Sequence, residues 1–258
     1  MRAFTRAVSP RLPECALTHL DRVPINVAKA AAQHTAYEQA LSDAGLELIP
    51  LPNLPDNADA VFVEDTALLL GEHAVITRPG IASRADETQS TAAGLAQYFE
   101  LHRIGSGFVD GGDVLRIART LYVGLSSRTD AAGVKALAEL VQPLGYEVVE
   151  AGLRDCLHLK TGATFAGPDA KGTPVLIYNE RAVDPAQFAG VESKPVDERE
   201  PAAANCLRVA DRLILPAGNP RTADKLCARG FEVVEVDVSE LQKAEAGVTC
   251  MSLIDEQT

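Results

Sequence analysis

Apolar and small residues recur at helical spacing between positions 27 and 44 (Val27, Ala31, Tyr37, Leu41), Gly45 supplies a stop, and a short apolar run covers 46–51. This predicts a helix and then a strand, preceded by a first strand over 4–8 that Pro10 and Pro13 close off. From residue 61 the pattern changes to short apolar runs, with strands expected over 67–70 and 73–77 across a Gly71-Glu72 hairpin connection. A helix over 87–99 and a strand over 101–104 complete that unit. The same order returns as strands over 113–118 and 120–124, a helix over 130–144 and a strand over 147–150. A third pass runs 157–166, 174–178, a short helix near 184–188 and a strand near Val191. A fourth runs 205–210, 212–215, 222–229 and 231–236.

Four strand-strand-helix-strand passes at a spacing of about 45 to 50 residues signal a repeat architecture. The remaining pieces are an unmatched strand, helix and strand at the start and a lone strand over 248–253 at the end. Joined, they make a fifth unit. The expectation is a five-bladed α/β propeller of pseudo-fivefold ββαβ modules, with residues 1–258 forming a single domain closed by the chain's two ends. A central channel would then receive the start of each module's first strand: residues 59–65, 110–113, His158, Asn205 and Cys250.

Composition narrows the function. A hydrophobic content of 47% supports a substantial core, and a net charge of -12 with scattered Lys and Arg disfavours nucleic acid or an anionic membrane as partner. No signal-peptide pattern and no run approaching ~18 apolar residues is present, so a soluble cytoplasmic protein is expected. The five cysteines are widely spaced, odd in number and without a C-x-x-C pair, which points to reduced thiols rather than disulfides or structural zinc.

The residues expected at the channel carry chemistry. Cys250 lies in an apolar run, where a cysteine is ordinarily inert, and His158 alternates with Leu157 and Leu159 as on a strand. A thiol and an imidazole brought together by folding are what nucleophilic cysteine catalysis requires. Asp110 or Asp113, around Gly111-Gly112, could fix the imidazole tautomer, although Asp and Gly also serve as turn residues. Asp59, Glu64 and Asp65 flank Val61-Phe62-Val63. They read either as charges at an exposed edge or as a carboxylate cluster for a guanidinium. Arg84 and Arg128 read as solvated loop residues or as a pair for a substrate carboxylate.

Seven ordered segments carry a resemblance: Phe62-Val63-Glu64-Asp65, Thr77-Arg78-Pro79-Gly80 with Ser83-Arg84, Asp110-Gly111-Gly112-Asp113-Val114, Gly124-Leu125-Ser126-Ser127-Arg128-Thr129, Leu157-His158-Leu159-Lys160, Ala204-Asn205-Cys206 and Thr249-Cys250. Together they resemble the dimethylarginine dimethylaminohydrolase family, within the guanidino-group-modifying superfamily of five-module α/β propellers. The resemblance implies Cys250 as nucleophile, His158 as general acid and base, and Asp110 as the group orienting His158. It implies Glu64 and Asp65 for the guanidinium, Asp59 and the Leu17 backbone for the α-amino group, Arg84 and Arg128 for the α-carboxylate, and Phe62 as pocket wall. A lid is expected near residues 15–23. No metal or organic cofactor is implied, although zinc could inhibit at Cys250 and His158. The partner is a small-molecule guanidine, and the chain would be a monomer or homodimer.

Related deiminases and amidinotransferases resemble one another in a His-x-Asp pair, where this chain has His158 and Lys160. Loss of that acceptor makes room for N-alkyl groups, so hydrolysis of Nω-methylated arginines to citrulline and an alkylamine is expected. The alternatives are a hydrolase of arginine, N-hydroxyarginine or another guanidine, and a propeller that only binds a partner.

Overall fold

The computed structural model describes residues 1–256. The chain begins with β1 (Arg2–Thr5), α1 (Val27–Asp43) and β2 (Glu47–Pro50). Asn26 caps α1 by accepting the Lys29 N–H at 3.0 Å, and Gly45, at φ +87°, ends it in the left-handed region that glycine adopts without a Cβ penalty. Next come β3 (Ala67–Leu70), β4 (His73–Ile76), α2 (Ala85–Leu95) and β5 (Glu100–Arg103). These are followed by β6 (Val114–Ile117), β7 (Thr120–Gly124), α3 (Ala131–Val141) and β8 (Glu147–Ala151). The fourth module has α4 (Leu159–Gly162), β9 (Ala163–Pro168), β10 (Pro174–Tyr178) and β11 (Glu192–Pro195). The fifth has β12 (Leu207–Val209), β13 (Arg212–Pro216), α5 (Pro220–Cys227) and β14 (Glu232–Val236), and the chain ends with α6 (Ser239–Gln242) and β15 (Leu253–Asp255).

These strands form five three-stranded sheets of one topology. In β3-β4-β5, for example, the hairpin pair is antiparallel and the crossover pair parallel. The sheet β15-β1-β2 repeats this with pieces from both ends of the chain: β1 pairs antiparallel with β15 (Phe4↔Leu253) and parallel with β2 (Phe4↔Ile49). The fold is the five-module α/β propeller, and its closure leaves no unpaired module. Apolar clusters bind each module to its neighbours. One joins Phe4, Leu51 and Leu253 of the closing module to Val63, Ile76 and Leu95 of the next. Fully burying such side chains contributes on the order of 1.5–3 kcal/mol each.

Several boundaries differ from the sequence expectations. The first strand lies at Arg2–Thr5 rather than 4–8, since its partners β15 and β2 fix the register. The crossover of the fourth module is only a 3-10 turn (Pro185–Gln187), because Pro185 starts it and no amphipathic run continues. Two corrections bear on chemistry. His158 is not on a strand: it caps the single turn α4, with the Thr161 N–H donating to its carbonyl at 3.0 Å. Cys250 lies in a turn ahead of β15, closed by its own N–H to the Gly247 carbonyl. Alternating apolar residues in runs this short do not separate a strand from a turn packed into a core.

Candidate active site

A tight turn or single helical turn precedes the first strand of each module, and these segments are tied together at the hub. The turn Val63–Thr66 leads into β3, Gly111–Asp113 into β6 and α4 into β9; Asn205 precedes β12, and the Cys250 turn precedes β15. The Glu64 N–H donates to the Cys250 carbonyl at 3.1 Å. Asn205 spans two turns, donating to the Lys160 carbonyl and to Thr249 Oγ1 (both 2.9 Å) and accepting the Thr249 N–H at 3.0 Å. The segments with the most reactive side chains are thus held by backbone and amide hydrogen bonds rather than by free loops.

His158 Nε2 is 3.2 Å from Asp110 Oδ2, and Nδ1 is 3.8 Å from Asp65 Oδ1. Burial alone would lower the imidazole pKa. Asp65, the hydrogen bond to Asp110 and the Asp113 charge overcome it and raise it to about 9. Asp110 is fully buried and accepts the Gly80 N–H at 3.0 Å. Asp113 is instead consumed by structure, accepting from Ser126 Oγ (2.6 Å), Thr129 Oγ1 (2.7 Å) and the Leu159 N–H (3.0 Å). Of the two candidates, Asp110 is therefore the one hydrogen-bonded to the ring.

The glycines between them have a reason other than turn dihedrals, since neither has positive φ. A Cβ on Gly112 would lie 2.6 Å from His158 Nδ1 and 2.8 Å from Asp65 Oδ1, and one on Gly111 would lie 2.0 Å from the Glu64 carbonyl oxygen. The Asp110 turn can approach the imidazole and the Glu64 backbone only without side chains at these positions. Gly247 is under the same constraint: its Cβ would fall 2.2 Å from Asn205 Oδ1.

Cys250 is half-buried, and the Gly247 N–H points at its sulfur at 3.3 Å. Burial, followed by Glu64 and Asp65, pushes the thiol up to about 12, against the smaller pull of the Gly247 N–H and Lys160. Asp65 is the charge common to both reactive groups, since it raises the thiol and the imidazole alike. Despite burial, Asp65 itself stays below the ordinary carboxylate range, held there by His158, Arg84 and the Gly112 N–H. At neutral pH these shifts favour the neutral thiol, the protonated imidazole and the ionised form of Asp65.

The remaining predicted residues fall into two groups. Glu64 is buried beside Cys250, paired with Lys160 Nζ at 2.6 Å and accepting Thr249 Oγ1 at 2.7 Å; burial nonetheless raises its pKa. The second group surrounds Asp59. Its carboxylate accepts the Ala16 N–H at 3.2 Å, and burial raises its pKa while Arg84 and Arg128 oppose the rise. Arg128 Nη2 donates to Thr18 Oγ1 at 2.8 Å. Arg84 is ion-paired with Asp65 and Glu87 and donates to the Phe62 carbonyl at 2.7 Å. Leu17, Phe62 and Cys250 pack in one apolar cluster. Asp59, Glu64, Asp65, Arg84 and Arg128 are all buried, which excludes the exposed-edge and solvated-loop readings.

Three features were not foreseen. Glu87, buried one helical turn from Arg84, locks that guanidinium, and the i,i+3 spacing was its only local signal. Lys160 proves to be the cation that offsets Glu64. Glu245 accepts the N–H groups of Thr18 (3.0 Å), His19 (2.5 Å) and Leu20 (2.6 Å), pinning the segment that carries Leu17. Its partners are more than 200 positions away in the chain. Asp65, Asp110 and His158 have donor atoms within 4.8 Å of one another, and Cys250 stands outside that group. A cavity of about 590 Å³ is lined by first strands of the modules together with Glu64, Lys160 and Thr249 of the hub; neither Cys250 nor His158 lines it.

No family model matches the chain. The dimethylarginine dimethylaminohydrolase of Streptomyces coelicolor is 38% identical to it over 260 residues, covering 98% of this chain and 96% of that protein. The enzyme of the same name from Pseudomonas aeruginosa is 36% identical over 229 residues, with 88% of each chain covered. A crystal structure of a cysteine-to-serine variant of the Pseudomonas aeruginosa enzyme, complexed with citrulline, superposes with a TM-score of 0.90 at 34% identity, covering 98% of both chains. Identity of this extent, shared by sequence and fold, places the chain in the dimethylarginine dimethylaminohydrolase family.

Proposed function

We propose that the chain acts as one catalytic domain that hydrolyses Nω-methylated arginines to citrulline and an alkylamine through a covalent intermediate on Cys250. The observation that carries this reading is the hub itself: a buried imidazole beside Asp110 and Asp65, and a thiol raised by burial, Glu64 and Asp65, gathered around shared carboxylates. A guanidinium fits there, because it is the cation that carboxylates grip bidentately. The far group suits the amino-acid end. Asp59 and the backbone near Leu17 take the α-amino group, Arg128 exchanges Thr18 for the α-carboxylate, and Arg84 adds a fixed positive charge while holding Asp65.

The protonation states set the order of events. The substrate cation offsets Glu64 and Asp65, and the thiol releases its proton to solvent and attacks the guanidino carbon. The alkylamine cannot leave as an anion, so protonated His158 donates its proton to that nitrogen as the C–N bond breaks. What remains is a thiouronium on Cys250 and a neutral imidazole. His158 then takes a proton from water, whose oxygen attacks the same carbon, and the C–S bond breaks to give citrulline and the thiol. Asp110 keeps the ring oriented throughout. Lys160 gives its ammonium to Glu64, so its position offers no acceptor to an unsubstituted guanidinium nitrogen and favours N-alkylated substrates.

Asymmetric dimethylarginine, monomethylarginine and arginine supplied side by side test the reading by citrulline release. Turnover of the methylated substrates is expected, and citrulline from arginine alone would overturn it in favour of another guanidine hydrolase. A Cys250→Ser variant that still turned over would remove the nucleophile from the account, and a wild-type protein inert toward every guanidine would favour a binding role.

A further inference from the structure

The sheet of the second module carries a cluster with no part in this chemistry. β4 and β5 pair in parallel with His73 opposite Glu100 and Val75 opposite His102. Side chains alternate along a strand, so His73, Glu100 and His102 share one face of that sheet. His73 Nδ1 and His102 Nε2 are 3.1 Å apart, Glu100 Oε2 lies 3.5 Å from His73 Nδ1, and Glu100 Oε1 lies 3.8 Å from His102 Nε2. The two rings are tilted by 59° with centroids 5.0 Å apart, so their nitrogens meet at one point.

We propose that His73, Glu100 and His102 form a binding site for a zinc-like divalent cation, distinct from the catalytic hub. Zinc bonds of about 2.0–2.1 Å to nitrogen and oxygen in a tetrahedron require ligand atoms about 3.3–3.4 Å apart. The two imidazole nitrogens are 3.1 Å apart and the two Glu100 oxygens reach one ring each, at 3.5 and 3.8 Å, so a turn of the exposed carboxylate brings one oxygen to an ion held between the rings. Two imidazoles and one carboxylate suit a borderline cation such as zinc and disfavour magnesium or calcium, which take oxygen ligands. In the metal-free pair, one ring donates its N–H to the other. On binding, that ring moves its proton to its outward nitrogen through solvent, so both inner nitrogens present lone pairs. Glu100 is exposed and both histidines are half-buried, which leaves a fourth position open to water. Because the ligands stand on paired strands, the ion would staple β4 to β5 within the module that carries Glu64 and Asp65.

Zinc titration of the full-length protein against a chromogenic chelator tests this, using wild type, Cys250→Ser, and Cys250→Ser combined with His73→Ala and His102→Ala. One zinc per chain is expected in Cys250→Ser, with affinity lowered at least tenfold when the two histidines are removed. The same ion should raise the Tm of Cys250→Ser and leave that of the triple variant unchanged. Cobalt(II) bound to Cys250→Ser should show visible ligand-field bands without a thiolate charge-transfer band. Binding that survives loss of both histidines, that vanishes with Cys250, or that shows thiolate coordination would overturn the proposal. Matching metal-free melting curves for all forms establish that the histidine substitutions leave the fold intact.

Discussion

The electrostatics of Cys250 predict that its alkylation depends on the charge of the reagent. Burial, Glu64 and Asp65 carry the thiol from 9.0 to about 12, roughly a thousandfold loss of thiolate and about 4 kcal/mol. A positive charge docked about 4 Å from the sulfur, at the effective dielectric of a partly buried site, returns on the order of 4 kcal/mol. A chloroacetamidine, which carries that charge, should therefore alkylate Cys250 about 10²- to 10³-fold faster than neutral chloroacetamide, after each rate is divided by its rate with a small free thiol. Time-resolved peptide mapping at pH 7.5 reads each cysteine separately, and exposed Cys227 serves as an internal standard that should show no such preference. Equal normalised rates at Cys250, or a resting thiol that titrates below 9, would refute the reasoning.

Three further outcomes follow from the geometry. The native state holds the His158 proton more tightly than the unfolded chain, so about 3 kcal/mol of stability is present below pH about 6.5 and is lost as pH rises through about 9. Denaturant melts across that window should slope downward in wild type and flatten in His158→Asn. Gly112→Ala should keep its circular dichroism spectrum but lose at least about 100-fold in kcat, because its methyl group occupies space within 2.8 Å of His158 and Asp65. Glu245→Ala removes the acceptor for three N–H groups of the 18–20 segment and should raise KM by about tenfold with a smaller change in kcat.

The repeat was legible because each module is written in local signals, such as the hairpin connection at Gly71-Glu72 and, in the opening unit, the helix stop at Gly45. Ring closure was legible from the leftovers alone, since a lone final strand and an unmatched opening unit make one sheet. The fourth module was faint because its crossover lacks an α-helix. Residue types at the hub could be read, but their local conformation could not. His158 and Cys250 sit in apolar runs too short to show a period, and long-range bonds from Asn205 and Glu64 decide their turns. Burial was the least visible property. Arg84 and Asp59 look like surface charges until Glu87, Asp65 and the Ala16 N–H are brought to them by the fold.

The central claim is that Cys250 becomes joined to the guanidino carbon of a methylated arginine while His158 carries the proton. Acid quench of the wild-type protein during turnover of asymmetric dimethylarginine, followed by mass mapping of its peptides, tests this most directly. The account predicts an adduct of substrate less dimethylamine on the peptide holding Cys250, absent from Cys250→Ser. Citrulline and dimethylamine formed at full rate by Cys250→Ser, or an adduct on any other residue, would contradict it.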